Sequence, residues 1–197
     1  MLFACSIENA RINLGVFDGD RLVFESSITT DASKSVDEYA ILLRGIFDLY
    51  QVALASIDGA ILASVVRPMN AVLIQVIEKL TGIKPMLVGP GVKTGLNIKT
   101  DIPSQVGGDI VANAVAAVSL TKGPLVFIDF GTATTLTGIN AQGELCGVLI
   151  CPGVRSSLDA LSANAAELPK IALENPKSVL GRNTIDSMTG GIIIGTA

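Results

Sequence analysis

The chain has 197 residues, 49% of them hydrophobic and only 4% aromatic, with a net charge of −4 and no histidine. That length suits one large domain or two small ones around an aliphatic core. The charge balance, with no polybasic run, weighs against nucleic acid or an anionic membrane as partner, and every histidine-based mechanism is excluded.

Cys5, Cys146 and Cys151 form no CxxC pair and no even set, which reads as buried thiols in a reducing cytoplasm. The opening MLFAC lacks the charged start and full apolar stretch of a signal peptide. VALASIDGAILASVV is broken by Asp58 and too short to span a bilayer. The expectation is a soluble cytoplasmic protein.

Residues 4–24, ACSIENARINLGVFDGDRLVF, alternate apolar and polar side chains around Asp18 and Gly19, which predicts a β-hairpin turning there. Residues 6–10 read as a polar kink where the first strand would otherwise continue. The spacing of Ala40, Leu43, Ile46 and Phe47 predicts a helix over 37–51, and GAILASVV a buried strand. Val72, Val76, Ile77 and Leu80 share one face of a helix over 70–80. PMLVGPG reads as a strand entering a loop. A helix over 106–120 carries Ile110, Val111, Ala114, Val115 and Val118 inward. Strands alternating with helices indicate an α/β sheet.

Lys122, Gly123 and Pro124 mark a boundary. Beyond it, residues 125–149 (LVFIDFGTATTLTGINAQGELCGVL) echo the opening hairpin about 123 positions later. Asp129 falls on Ser6, Gly131 on Glu8, Thr132 on Asn9 and Gly138 on Gly15, with Gln142 and Gly143 standing for Asp18 and Gly19. The echo implies a duplicated unit: 1–121, then 122–197. The tight turn of each copy offers backbone N–H groups to phosphate.

Several stretches carry chemistry. GPGVKTG (89–95) lacks the G-x-x-x-x-G-K-[ST] spacing of a P-loop. DFGTATT (129–135) ends a strand on a carboxylate, then gives a glycine for close approach and hydroxyls beyond it, a pattern suited to phosphate or a cation. Asp109 follows Gly107 and Gly108 at the start of a helix. A carboxylate there is ordinarily a cap or dipole partner, but the glycine pair also lets another molecule approach it. In GRNT (181–184), Thr184 reads as an N-cap. The apolar spacing of IDSMTGGIIIG, with Gly190 and Gly191 allowing close backbone approach, suggests a face for a second copy.

In order, VGPGVKTGLNI, VGGD, DFGTATT, CPGVRSSLDALSANAAELPKI and GRNTIDSMTGG resemble the type III pantothenate kinases along essentially the whole chain. The resemblance implies an actin-like ATPase fold: two duplicated ribonuclease-H-like domains across an ATP cleft, the second incomplete here. It implies transfer of the γ-phosphoryl group of ATP to the primary hydroxyl of pantothenate, toward coenzyme A. Mg2+ with ATP, a monovalent cation such as K+, and a homodimer are implied with it. Carried over by position, Asp109 matches the general base, while Gly107, Gly108 and Thr184 match pantothenate contacts. Asn9, Gly131 and Thr132 match nucleotide contacts, and Asp129 the potassium ligand.

The same resemblance exposes departures. The family's first motif, D-x-G-N-T with a basic residue shortly after, stands here as Ser6, Ile7, Glu8, Asn9 and Ala10, with Asn13 where a lysine is common. Glu8 would bring a negative charge toward phosphate, a repulsion of about 3 kcal/mol at roughly 5 Å and an effective dielectric near 20. Ser6 removes a carboxylate that would organise the metal, and Ile110 replaces an arginine. Family chains continue beyond position 197, so the expectation is either a fragment or a shortened relative. A non-catalytic paralogue acting as a small-molecule-binding or regulatory module is the alternative to a working kinase.

Overall fold

A computed structural model describes residues 1–89 and 92–196; Pro90 and Gly91, within the GPGVKTG stretch, and Ala197 lie outside the described residues. The chain divides into two compact units, Met1–Thr121 and Lys122–Ala197.

The first unit opens with three antiparallel strands, β1 (Leu2–Ile7), β2 (Arg11–Asp18) and β3 (Arg21–Thr29). Helix α1 (Val36–Leu49) follows, then β4 (Gly59–Ser64), α2 (Arg67–Thr81), β5 (Met86–Leu87) and α3 (Gly108–Leu120). The sheet order is β3-β2-β1-β4-β5, with β4 parallel to β1 and β5 parallel to β4. This is the ribonuclease-H-like α/β arrangement. Parallel neighbours need a crossover, and α2 supplies the one between β4 and β5. Alternation puts Phe3, Cys5 and Ile7 of β1 and Ile12, Leu14 and Val16 of β2 in the core. Tyr39, Leu43 and Phe47 of α1 and Leu73, Val76 and Ile77 of α2 join them at helical spacing. Each such fully buried large side chain contributes about 1.5–3 kcal/mol.

The polar bend at 6–10 is a full reversal rather than a kink in a continuing strand. The backbone N–H of Glu8 donates to Arg11 O over 2.8 Å, and β1 and β2 run antiparallel on either side. Thr30, just after β3, braces the turn from across the sheet: its N–H donates to Ala10 O (3.1 Å) and its hydroxyl to Glu8 O (2.6 Å).

The second unit repeats the meander as β6 (Leu125–Phe130), β7 (Ala133–Ile139) and β8 (Leu145–Pro152), followed by α4 (Val154–Asn164) and α5 (Thr184–Thr196). The correspondence reaches single bonds. Gly131 N–H donates to Ala133 O as Glu8 N–H does to Arg11 O, and Gly153 N–H to Thr132 O as Thr30 N–H does to Ala10 O. A bulge falls between Val16 and Phe17 in one copy and between Gly138 and Ile139 in the other. Ser6, opposite Asn13, and Asp129, opposite Thr135, hold the same place in register.

That register corrects two alignments made from sequence. Four residues (8–11) separate the paired Ile7 and Ile12, but only three (131–133) separate Phe130 and Thr134. The second turn is therefore one residue shorter, so Thr132 takes the bonding place of Ala10 rather than Asn9. Likewise Gly138 falls on Val16 rather than Gly15. The copies also differ in cover. Val126, Ile128 and Phe130, the counterparts of Phe3, Cys5 and Ile7, are exposed, Phe130 to 68% where Ile7 is fully buried.

Cys5 is buried, which pushes its thiol up to about 12, whereas Cys146 is exposed and Cys151 intermediate. Buried thiols were expected at all three. Cys146 departs because bulge and turn place it on the outer side of β8. In α5, Gly190 is buried, and a Cβ there would lie 3.2 Å from both Ser178 O and Val179 O. Its close approach is thus used within the chain, while nothing lies within 4 Å of a Cβ on Gly191. Among the described residues no helix is long and apolar enough to cross a membrane.

Candidate active site

The start of α3 holds the most distinctive group. Gly107 is the N-cap, extended at φ −61° and ψ 148°, and no side chain caps the helix. Asp109 turns its carboxylate back over Gly107, so a Cβ on Gly107 would lie 2.3 Å from Asp109 Oδ1. Gly108 is required for a different reason, because its Cβ would sit 2.9 Å from Val88 O at the end of β5. Asp109 Oδ1 is buried and has no hydrogen-bond partner among the described residues. A buried carboxylate oxygen left unsatisfied is costly unless a ligand completes it.

Beside it lies a cavity of about 420 Å³ lined by, among others, Ser64, Arg67, Asn70, Val88, Gly107 and Gly108. It opens at the carboxyl ends of the parallel strands β4 and β5, where α2 and α3 both begin, the usual ligand position of open α/β sheets. Asn70 Oδ1, in its wall, is likewise buried and without a partner among the described residues.

The two hairpin turns carry the remaining candidates. Asn9 is exposed in the first. Next to it, Glu8 accepts from Asn13 Nδ2 at 2.8 Å, so its carboxylate is held across the base of the turn. In the second turn Gly131 and Thr132 are exposed, with Thr132 O accepting from Gly153 N–H (3.0 Å) and Ser156 Oγ (2.8 Å). A Cβ on Gly153 would lie 2.2 Å from Gly131 O, so only glycine lets α4 begin this close to the turn. Asp129 sits directly opposite Thr135 in the sheet, and among the described residues the buried hydroxyls of Thr135 and Thr137 lack partners. A carboxylate with hydroxyls is a hard oxygen donor set that fits an alkali cation. Among the described residues no three His, Cys, Asp or Glu side chains gather as a metal site.

Residues 2–197 match the family model described as type III pantothenate kinase. The chain belongs to the type III pantothenate kinase family. A type III pantothenate kinase from an Exiguobacterium species is 42% identical over 195 residues, which is 99% of this chain and 77% of that one. One from a Geobacillus species is 43% identical over 99% of this chain and 76% of its own length. Among solved structures, a Campylobacter jejuni protein assigned to the Baf family of transcriptional activators superposes with a TM-score of 0.56 at 16% identity. It covers 98% of this chain and 75% of that one. A Sinorhizobium meliloti protein assigned as a 2-dehydro-3-deoxygalactonokinase gives 0.51 at 11% identity, over 84% of this chain and 57% of that one. At those identities the structural likeness shows the fold alone.

Within this family member, Gly107, Gly108 and Asp109 come together on one helix start, and Asp129, Gly131 and Thr132 on one hairpin. Thr184 is the first residue of α5 and lines a separate cavity of about 620 Å³ with Leu161, Asn183 and Met188. It is not the N-cap expected from sequence. Asn183 takes that role, its Oδ1 accepting from Asp186 N–H at 2.9 Å and its backbone O from Ser187 N–H at 2.9 Å. Ile110 is buried, so the position of the family's arginine presents an apolar side chain to the core. Sequence reasoning missed Arg67 and Asn70, and the bond between Glu8 and Asn13. For the first pair a signal existed: a polar helix start directly after a buried strand.

Proposed function

We propose that this chain is an ATP-dependent pantothenate kinase of coenzyme A biosynthesis, with Asp109 as general base. The observation that carries the reading is the Asp109 carboxylate, its buried Oδ1 unpartnered among the described residues, folded back over Gly107, which lines a substrate-sized cavity together with Gly108. The primary hydroxyl of pantothenate gives its proton to Asp109, its oxygen forms a bond to the γ-phosphorus, and the bond from that phosphorus to the β-phosphate bridging oxygen breaks, releasing ADP. Such a transfer depends on positioning and charge neutralisation, so a carboxylate aimed at the hydroxyl suffices as base. Gly107, Gly108 and Thr184 contact pantothenate in this reading, and Asn9, Gly131 and Thr132 the nucleotide. Asp129 would hold K+, which with Mg2+ on ATP supplies charge neutralisation. A cytoplasmic homodimer completes the proposal, and a mass measurement at micromolar concentration tests the dimer.

A second reading, a family member that binds a small molecule without phosphorylating it, is favoured by one feature. Glu8 and Asn13 are bonded to each other where a glycine and a lysine would serve phosphate. Phosphorylation of pantothenate by the purified protein with MgATP and K+ decides between them. Turnover abolished by Asp109→Asn supports the kinase; no turnover with retained pantothenate binding supports the second reading.

A further inference from the structure

The cavity beside Asp109 has a cationic end that the reaction's machinery does not use. Arg67 is the first residue of α2 and lines the cavity together with Gly107 and Gly108 of α3. It has no ion-pair partner among the described residues, and no carboxylate is among the residues lining the cavity. Neither helix start is capped by a side chain, so two positive helix ends and one guanidinium serve the same space. Asn70, one turn into α2, places a buried oxygen without a donor in the same wall.

We infer that Arg67 binds the carboxylate of pantothenate and sets the enzyme's preference for an acidic substrate. This rests on the kinase reading. Pantothenate is a short chain with a hydroxyl end, an amide N–H in the middle and a carboxylate at the far end. Asp109 takes the hydroxyl, Asn70 Oδ1 accepts from the amide, and the guanidinium takes the carboxylate through charge-assisted hydrogen bonds. With Ile110 buried and apolar, Arg67 at the start of α2 is the cation among the residues lining this cavity.

The test compares pantothenate with pantothenyl alcohol, in which a neutral hydroxymethyl group replaces the carboxylate. Calorimetric binding and steady-state kinetics are measured for the wild type, Arg67→Ala and Arg67→Lys. Arg67 is an exposed side chain at a helix start, and unchanged thermal melts check that the variants fold. The expected result is a rise of about tenfold or more in Kd and KM for pantothenate in Arg67→Ala, the scale of a lost charge-assisted pair. In that variant kcat and the KM for ATP stay within about twofold, the affinity for pantothenyl alcohol does not move, and Arg67→Lys recovers part of the loss. A wild type that turns over pantothenate while Arg67→Ala keeps its Kd and its discrimination overturns this inference alone. A wild type that neither binds nor phosphorylates pantothenate overturns it together with the kinase reading.

Discussion

Asn13 Nδ2 donates to Glu8 Oε1 over 2.8 Å, and Asn13 also stands directly opposite Ser6 in the β1–β2 ladder. Three departures from the family's first motif are therefore one connected group. Glu8 is not simply a charge left near phosphate, because its carboxylate is anchored by the residue that replaces the lysine. Restoring a single position leaves a mismatched partner behind.

The expected outcome follows from that coupling. Ser6→Asp with Glu8→Gly should strengthen MgATP binding at least tenfold, about 1.4 kcal/mol. Adding Asn13→Lys should gain more than its effect in the wild-type background, with non-additivity on the order of 0.5–3 kcal/mol as expected for touching residues. Calorimetric titration of the four proteins checks it. Tight MgATP binding by the unmodified chain would show that Asn9, Arg11 and the turn at Thr132 hold phosphate another way.

Much of the first unit was legible because its elements obey simple periods. Phe3, Cys5 and Ile7 alternate, and Tyr39, Leu43 and Phe47 recur at helical spacing, so side-chain patterns alone announce strand and helix. The reversal at 8–11 was not legible. It contains neither glycine nor proline, and the hydroxyl of Thr30 that braces it lies 22 positions away in sequence. The one-residue shortening of the second turn is likewise visible only in strand register. At the site, the glycine pair before Asp109 was readable as an opening. That Gly107 makes room for the Asp109 carboxylate and Gly108 for the Val88 carbonyl depends on folded contacts that no local pattern encodes.

Those contacts separate two ways of testing Asp109 as the proposed base. Asp109→Asn keeps the shape and removes the proton acceptor, so kcat should fall about 10²–10⁴-fold with pantothenate binding retained. Gly107→Ala keeps the carboxylate but displaces it, since the new methyl would lie 2.3 Å from Oδ1. A misplacement of about 1 Å costs on the order of a hundredfold in rate. Parallel kinetics of the two variants check this, and an unaltered kcat in Gly107→Ala would mean that the carboxylate works from another rotamer.

The second turn has its own steric requirement at Gly153. An alanine there would place Cβ 2.2 Å from Gly131 O and 2.5 Å from Thr132 O, against backbone rather than a yielding side chain. Gly153→Ala should destabilise the chain by about 1–3 kcal/mol, as forced overpacking does. It should also weaken MgATP binding, because Gly131 and Thr132 must move. Urea unfolding and titration of the same sample measure both, and loss of stability without loss of nucleotide affinity would separate the turn from the phosphates.

The entry to α1 gives the fold a defined pH response. Ser35 Oγ accepts from Glu38 N–H (3.3 Å) while Glu38 Oε2 accepts from Ser35 N–H (2.8 Å), a reciprocal capping box. The backbone and side-chain bonds from Ser35 hold the Glu38 carboxyl below its ordinary value of 4.5. Just before it, Asp31 is bonded to Lys34 and accepts from Ser33, which holds its carboxyl well below the usual carboxylate range. Both carboxylates are thus depressed in the folded chain. Their stabilisation is fully present above the unfolded values of 4.5 and 3.8 and fades as pH falls toward the folded ones. Lys34, raised by Asp31 above its ordinary 10.5, works in the opposite sense: its share is complete below that value and fades as pH rises through the folded one. Glu38→Gln should therefore melt below the wild type at pH 7, with the gap closing as pH falls from 4.5 through the depressed folded value and the native glutamate becomes neutral. Ser35→Ala removes the cap at every pH and should cost about 1 kcal/mol, so its deficit should persist after the glutamate has been neutralised. Melting curves that moved in parallel for both variants across that range would show that the carboxylate charge contributes nothing to the start of α1.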